Sequence, residues 1–243
     1  MKYLHRLILC IYLVPMTIYG QIKMKPLNEL VVKDSSTWNM VKQWIKDAKN
    51  PVEVLPKNKM RADSALYLTQ VTTRSPMGAI IYETGGLLID SGWIRILGSG
   101  NRRLDRSLMD WNKGKSFNNV GEPTKFLLIA DDVLGGFFAI NAGAFDTTNI
   151  GKVFYFSPDN LKWENTQLTY TDFLFFCFTG DLNKYYQGFK WNNWQKDASS
   201  LNGNEGMAFL PFLWSKEGQK DINKNKREKV LIQTLWDLYF KQK

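Results

Sequence analysis

Histidine and cysteine are almost missing from this chain. Its 243 residues hold one histidine, His5, and two cysteines, Cys10 and Cys177. His5 and Cys10 both fall within residues 1–20, which read as a secretory signal peptide. Lys2 and Arg6 make a short basic start. An apolar stretch then runs from Leu7 to Ile18, broken only by Pro15 and Thr17, and Gly20 gives a small residue at a cleavage point before Gln21. That stretch falls short of the roughly 20 apolar residues of a membrane span. An uncleaved anchor is the alternative. Cys10 follows Leu9, where a lipoprotein signal wants a small residue, so it is not read as a lipid attachment point.

Without residues 1–20 the chain has no histidine and one cysteine, Cys177. Ser-His-Asp and Cys-His catalysis are then excluded, as is an HExxH zinc site. A lone cysteine makes neither an intramolecular disulfide nor a cysteine-rich zinc site. Cys177 lies in Phe173-Leu-Phe-Phe-Cys-Phe178 and reads as a small buried hydrophobe. Calcium-loop spacing, the phosphate-loop pattern, Gly-x-Ser-x-Gly and Ser-x-x-Lys are all lacking. Gly98-Ser-Gly-Asn-Arg reads as a turn. No metal and no cofactor are expected.

What is present is a core. The chain is 44% hydrophobic and 14% aromatic, with 23% charged residues, which excludes a disordered or collagen-like polymer. Its formal net charge is +9. One basic cluster is Arg102, Arg103, Arg106, Lys113 and Lys115, interleaved with Trp111; another spans Lys216–Lys229. Basic and aromatic residues together suit single-stranded nucleic acid, but an exported chain seldom meets it. An anionic partner or a plain solvated face is the expectation.

Along the chain, helical spacing follows Ser36-Thr37-Trp38 up to Asn50-Pro51, covers Lys57–Val71, and resumes after Ser75-Pro76. Leu87–Asp90 and Trp93–Leu97, joined at Ser91-Gly92, predict a β-hairpin. Further strands are predicted at Phe126–Ala130, Phe137–Asn141 and Val153–Phe156, with a short edge strand at Leu161–Trp163. Thr169–Phe178 predicts a capped helix ended by Gly180, Asp181 caps another through Gln187, and Val230–Phe240 is amphipathic. Residues 191–214 read as irregular, and Trp191, Trp194 and Trp214 suit either a core or a groove. Helices, then short strands, then helices predict one α+β domain over residues 21–243 with a mostly antiparallel twisted sheet.

Two sets of residues carry possible function. In a strand, Trp93, Arg95 and Leu97 share one face while Ile94 and Ile96 share the other. Trp and Arg are enriched at binding hot spots, so Trp93 and Arg95 are candidate anchors for a protein partner. A covering helix, with Arg95 snorkelling, satisfies the same alternation. The carboxylates Glu83, Asp90, Asp131, Asp132, Asp146 and Asp159 lie at strand ends or turns. Two of them across a cleft would hydrolyse a glycosidic bond without histidine; Glu83 and Asp132 are first in line.

The segments Thr72-Thr-Arg-Ser-Pro-Met-Gly-Ala79, Glu83-Thr-Gly-Gly86 and Gly92-Trp-Ile-Arg-Ile-Leu-Gly-Ser-Gly100 resemble bacterial domain-of-unknown-function family 2625. So do Ala130-Asp-Asp-Val-Leu-Gly-Gly-Phe-Phe-Ala139, Val153-Phe-Tyr-Phe-Ser-Pro-Asp159 and Asp172-Phe-Leu. A weaker, fold-level resemblance is to the SUKH superfamily, many of whose members are immunity proteins that neutralise bacterial toxins by surface recognition. The resemblance implies a SUKH-like core and a binding role, with Arg74 and Asp132 near Trp93 and Arg95. The expectation is an exported, non-enzymatic binding protein of the periplasm or cell envelope. Its alternative is an envelope glycan hydrolase.

Overall fold

The structure is a computed structural model that describes residues 24–241. The expected signal peptide, residues 1–20, lies outside them. The N-terminal part runs α1 Leu27–Leu30, α2 Ser36–Lys46, β1 Val52–Leu55, α3 Lys59–Thr69 and α4 Pro76–Glu83. The middle holds β2 Gly86–Ile89, β3 Ile94–Leu97, α5 Leu108–Asn112, β4 Phe126–Asp132, β5 Phe137–Asn141, β6 Val153–Ser157 and β7 Lys162–Asn165. The last part holds α6 Tyr170–Thr179, α7 Leu182–Tyr185, α8 Trp194–Ser199, β8 Glu205–Leu210, α9 Lys216–Lys220, β9 Lys226–Leu231 and α10 Ile232–Phe240.

Local chemistry accounts for the boundaries. Asn58, Ser75 and Thr169 each accept a backbone N–H at the start of α3, α4 and α6. Pro76 occupies the first turn of α4, where its missing N–H is harmless. Thr169 and Asp172 form a reciprocal capping box. Asp90, Ser91 and Gly92 all have positive φ, which lets the β2–β3 hairpin turn tightly.

Strands β1 to β7 form one antiparallel sheet in sequence order. Register fixes the two faces. Leu87 opposes Ile96, Ile94 opposes Asp132, Ala130 opposes Phe138, and Phe138 opposes Tyr155, so these side chains share one face. There α6 packs through Phe173, whose ring centroid lies 4.8 Å from that of Phe138, and α2 and α4 pack beside α6. Leu88, Arg95, Asp131, Phe137 and Phe156 share the other face. Trp111 of α5 and Trp236 of α10 pack on Phe137 there, and the β8–β9 ribbon closes over Arg95. The protein is thus a single α+β domain with both sheet faces covered.

Several elements were unforeseen, the short helices α1, α8 and α9 among them. β1 is an edge strand with two exposed residues among its four. α5 begins at a Ser107–Asp110 capping box inside the expected polar connection. The β8–β9 ribbon uses residues expected to be irregular or a charged run, because β9, Lys-Arg-Glu-Lys-Val-Leu, is largely exposed. Among the described residues, no helix is long and apolar enough to cross a membrane.

Candidate functional site

The expected anchors lie inside the protein. Trp93 is 0% exposed and sits among Tyr186, Trp191 and Trp194, with centroids at 5.4, 5.5 and 5.0 Å. Lys190 reaches over the Trp194 ring at 4.0 Å while its ammonium binds Asp90 at 2.7 Å. Trp191 and Trp194 are therefore core, whereas Trp214 is half-buried and stacks on Phe212.

Arg95 is 1% exposed. Its Nε lies 2.7 Å from Asp131 Oδ1, directly across the β3–β4 ladder, and its terminal nitrogens donate to the carbonyls of Asp132 and Glu205. Arg106 meets the other oxygen of Asp131 at 2.6 Å and donates to the Gly203 carbonyl. The Arg106 guanidinium lies over the Trp111 ring, its Cζ 4.5 Å from the centroid, and its Nε and Nη1 have no hydrogen-bond partner among the described residues. Burial pushes the Arg106 guanidinium below its ordinary value, and Asp131 opposes this. Neither Trp93 nor Arg95 reaches a partner's surface. The alternation is as expected, but the second face is roofed.

Asp132 is also fully buried, on the opposite face from Asp131. Its Oδ1 accepts the amides of Leu134 at 2.9 Å and Gly136 at 2.8 Å. Its Oδ2 accepts the hydroxyls of Tyr155 at 2.7 Å and Tyr186 at 3.0 Å. Burial raises the carboxyl above the ordinary carboxylate range, against the pull of these donors. Burial and the neighbouring Asp132 hold both phenols far above their usual range, so they remain donors. Asp132 thus orients two tyrosines while itself sealed from solvent. Arg74 is exposed on the α3–α4 loop, and its carbonyl accepts the Thr37 hydroxyl. Among the described residues, no hydrogen bond or ion pair joins it to the other three. Glu83 is bound to Lys57 at 3.3 Å, so Glu83 and the sealed Asp132 do not form a hydrolase pair.

The tyrosines that Asp132 holds form the wall of an open cleft of about 180 Å³ between the β6–β7 turn and α7. Asp181 caps α7 by accepting the Lys184 amide. Successive helical residues diverge by about 100°, so Tyr186 turns inward to Asp132 while Tyr185 stays at the rim, 39% exposed. Tyr185 meets Tyr186 and Tyr155 edge-on, with centroids at 4.9 and 5.9 Å. A Cβ on Gly136 would come within 2.3 Å of the Tyr155 hydroxyl, so a bare glycine lets that ring lie over the β4–β5 turn. Asp159 and Glu164 stand on the β6–β7 side, accepting from Ser157 and Asn160 respectively.

Two further clefts adjoin this one. One of about 310 Å³ shares Tyr155, Glu164 and Tyr185 and continues past Phe173 and Phe176. Another of about 240 Å³ shares Asp159 and Phe189 and continues toward Leu213. None of the residues lining the three is lysine or arginine. Asp159 was among the carboxylates expected at turns. Tyr155, Tyr185, Tyr186 and Glu164 were missed. The one local hint is the Tyr185-Tyr186 pair just after a capping aspartate, and nothing local brings Tyr155 to it.

The basic clusters are dispersed. Arg103 pairs with Glu53, Arg106 is in the core, and Lys115 lies 3.8 Å from the Trp111 centroid. Arg227 caps the carbonyls of Ile222 and Asn225. Cys177 is buried and its thiol is pushed well up by burial. Among the described residues, no group of three or more His, Cys, Asp or Glu side chains is placed to hold a metal.

Together these features define a single-domain α+β protein with a sealed charged centre and an aromatic-walled cleft beside it. The chain belongs to the DUF2625 family of proteins of unknown function, whose model matches residues 27–235. It is 45% identical over 220 residues to an uncharacterized protein of Haemophilus influenzae, covering 90% of this chain and 96% of that protein. It is 40% identical over 220 residues to the uncharacterized Escherichia coli K12 protein YbfG, covering 90% of this chain and 98% of that one.

Proposed function

We propose that this is an exported binding protein that recognises a protein partner through the cleft between β6–β7 and α6–α7. The carrying observation is the run of adjoining clefts walled by Tyr155, Tyr185, Phe176 and Phe189, with Tyr155 and Tyr186 fixed from behind by Asp132. Rigid aromatic side chains with a few fixed polar groups are the chemistry of interface hot spots. The SUKH-like order of elements supports the same reading by analogy, and export rests on residues 1–20.

A second reading keeps the carboxylate-pair hydrolase, now with Asp159 and Glu164, which share the aromatic cleft. Against it, a glycosidase sets its proton donor in an apolar pocket, whereas Glu164 is exposed and Asp159 only half-buried.

The test is a capture experiment from envelope and secreted proteins of the source cell, with wild type and Tyr185→Ala in parallel. A stoichiometric protein lost with Tyr185→Ala supports the binding reading. Retention and cleavage of glycan, abolished by Glu164→Gln, transfers the assignment to the hydrolase.

A further inference from the structure

The cleft's hydrogen-bonding inventory is lopsided. Four of its lining donors are spent internally. Tyr155 and Tyr186 donate to Asp132, Ser157 donates to Asp159, and Asn160 donates to Glu164 at 2.5 Å. Among the described residues, Asp159 Oδ2 and Glu164 Oε2 accept no hydrogen bond. What faces solvent is therefore two free carboxylate oxygens beside aromatic surface and the Tyr185 hydroxyl. The acids are its charged lining residues, in a chain of formal net charge +9. A concave site lined by one sign of charge concentrates ions of the other sign.

Size narrows the occupant. The central cleft holds about 180 Å³ and adjoins clefts of about 310 and 240 Å³. The centre has room for the head of one long side chain, and a neighbouring cleft has room for its stem. Aromatic faces beside carboxylates are the setting that cations favour, through the ring quadrupole and charge-assisted hydrogen bonds together.

We infer that this cleft is the receptor for a basic side chain, the ammonium of a lysine or the guanidinium of an arginine, projecting from a protein partner. The inference rests on the binding reading above and adds the partner's chemistry. The cation lies against Tyr185 and Tyr155 and donates to Asp159 and Glu164, while the aliphatic stem runs along the cleft past Phe176 or Phe189.

The experiment titrates the purified protein with Nα-acetyl-lysine amide and Nα-acetyl-arginine amide, with Nα-acetyl-norleucine amide as the uncharged counterpart. Amide and tyrosine-ring NMR shifts are followed. The expected result is saturable shifts confined to residues 155–164 and 185–189 for at least one basic probe. Norleucine gives none, and Asp159→Asn/Glu164→Gln weakens binding about tenfold, as for two partly exposed ionic contacts. Both substitutions are near-isosteric and leave the melting curve in place. Equal binding of norleucine, or no shift with either basic probe, overturns the inference. In the capture experiment, a partner lost with Tyr185→Ala but kept by the double variant defeats the cation and spares the cleft. A partner kept by both variants defeats the cleft itself.

Discussion

Asp131 and the Asp159–Glu164 pair lie in one molecule under opposite regimes. Asp131 is fully buried and meets two buried arginines, Arg95 and Arg106. Asp159 and Glu164 face solvent beside tyrosine rings with no cation on the cleft wall. A buried ion is tolerable only when paired and hydrogen-bonded. An exposed one costs little and is free to meet a ligand. The lesson is that the residue types most suggestive of binding, Trp93 and Arg95, are consumed in holding the fold. The open cleft is made of ordinary turn acids and tyrosines.

The comparison breaks most visibly at its sealed side. Asp131→Asn leaves Arg95 and Arg106 buried without a carboxylate, and is expected to cost about 3–5 kcal/mol, read as a loss of the folded baseline in urea titration. Next is Tyr186→Phe. It removes one of the two hydroxyl donors to Asp132 Oδ2 while keeping the ring and the Tyr155 donor, for a cost of about 0.5–1.5 kcal/mol, the net worth of one hydrogen bond. The cleft variant Glu164→Gln should change stability by no more than about 0.5 kcal/mol, because Glu164 makes only an exposed contact to Asn160. A large destabilisation there would erase the distinction between the two regions.

A further contrast is a pH dependence at the edge of the sealed region. Burial first, then the neighbouring Arg106, brings the Lys115 ammonium from its ordinary 10.5 down to about 8. The unfolded chain then binds more protons than the folded one between those values, so stability rises with pH across that window. Lys115→Met should flatten this rise, seen as converging melting temperatures of variant and wild type as pH goes from 8 toward 10.5.

Much of the architecture was legible. Glycine turns and alternation gave the β2–β3 hairpin and β4 to β6, capping residues gave α2 and α6, Ser75-Pro76 gave α4, and apolar spacing gave α3. The partition of Ile94 and Ile96 from Arg95 was correct, as the pairing of Ile94 with Asp132 and Arg95 with Asp131 shows. Alternation reports which side chains share a face, not what lies on top of it. The roof over Arg95 comes from β8, whose Glu205 carbonyl is 110 residues away in sequence. β9 escaped notice because it is charged and largely exposed, and β8 because its Met207–Leu210 run lies inside the Trp-rich, glycine-containing stretch read as irregular. The cleft was unreadable for a similar reason. Tyr155 and Tyr186 meet only through Asp132, and each looks like an ordinary core aromatic in its own segment.

The long reach of these contacts bears on the order of folding. Arg95 needs the Glu205 carbonyl, Arg106 needs the Gly203 carbonyl 97 residues on, and Asp90 needs Lys190 at a separation of 100. A chain still emerging from the ribosome can pair β1 to β7, yet it leaves guanidinium groups on an uncovered sheet until residues near 205 arrive. Premature closure is therefore costly, since loop-closing contacts of this span come late. The same penalty that makes the finished core unforgiving keeps the nascent chain loose.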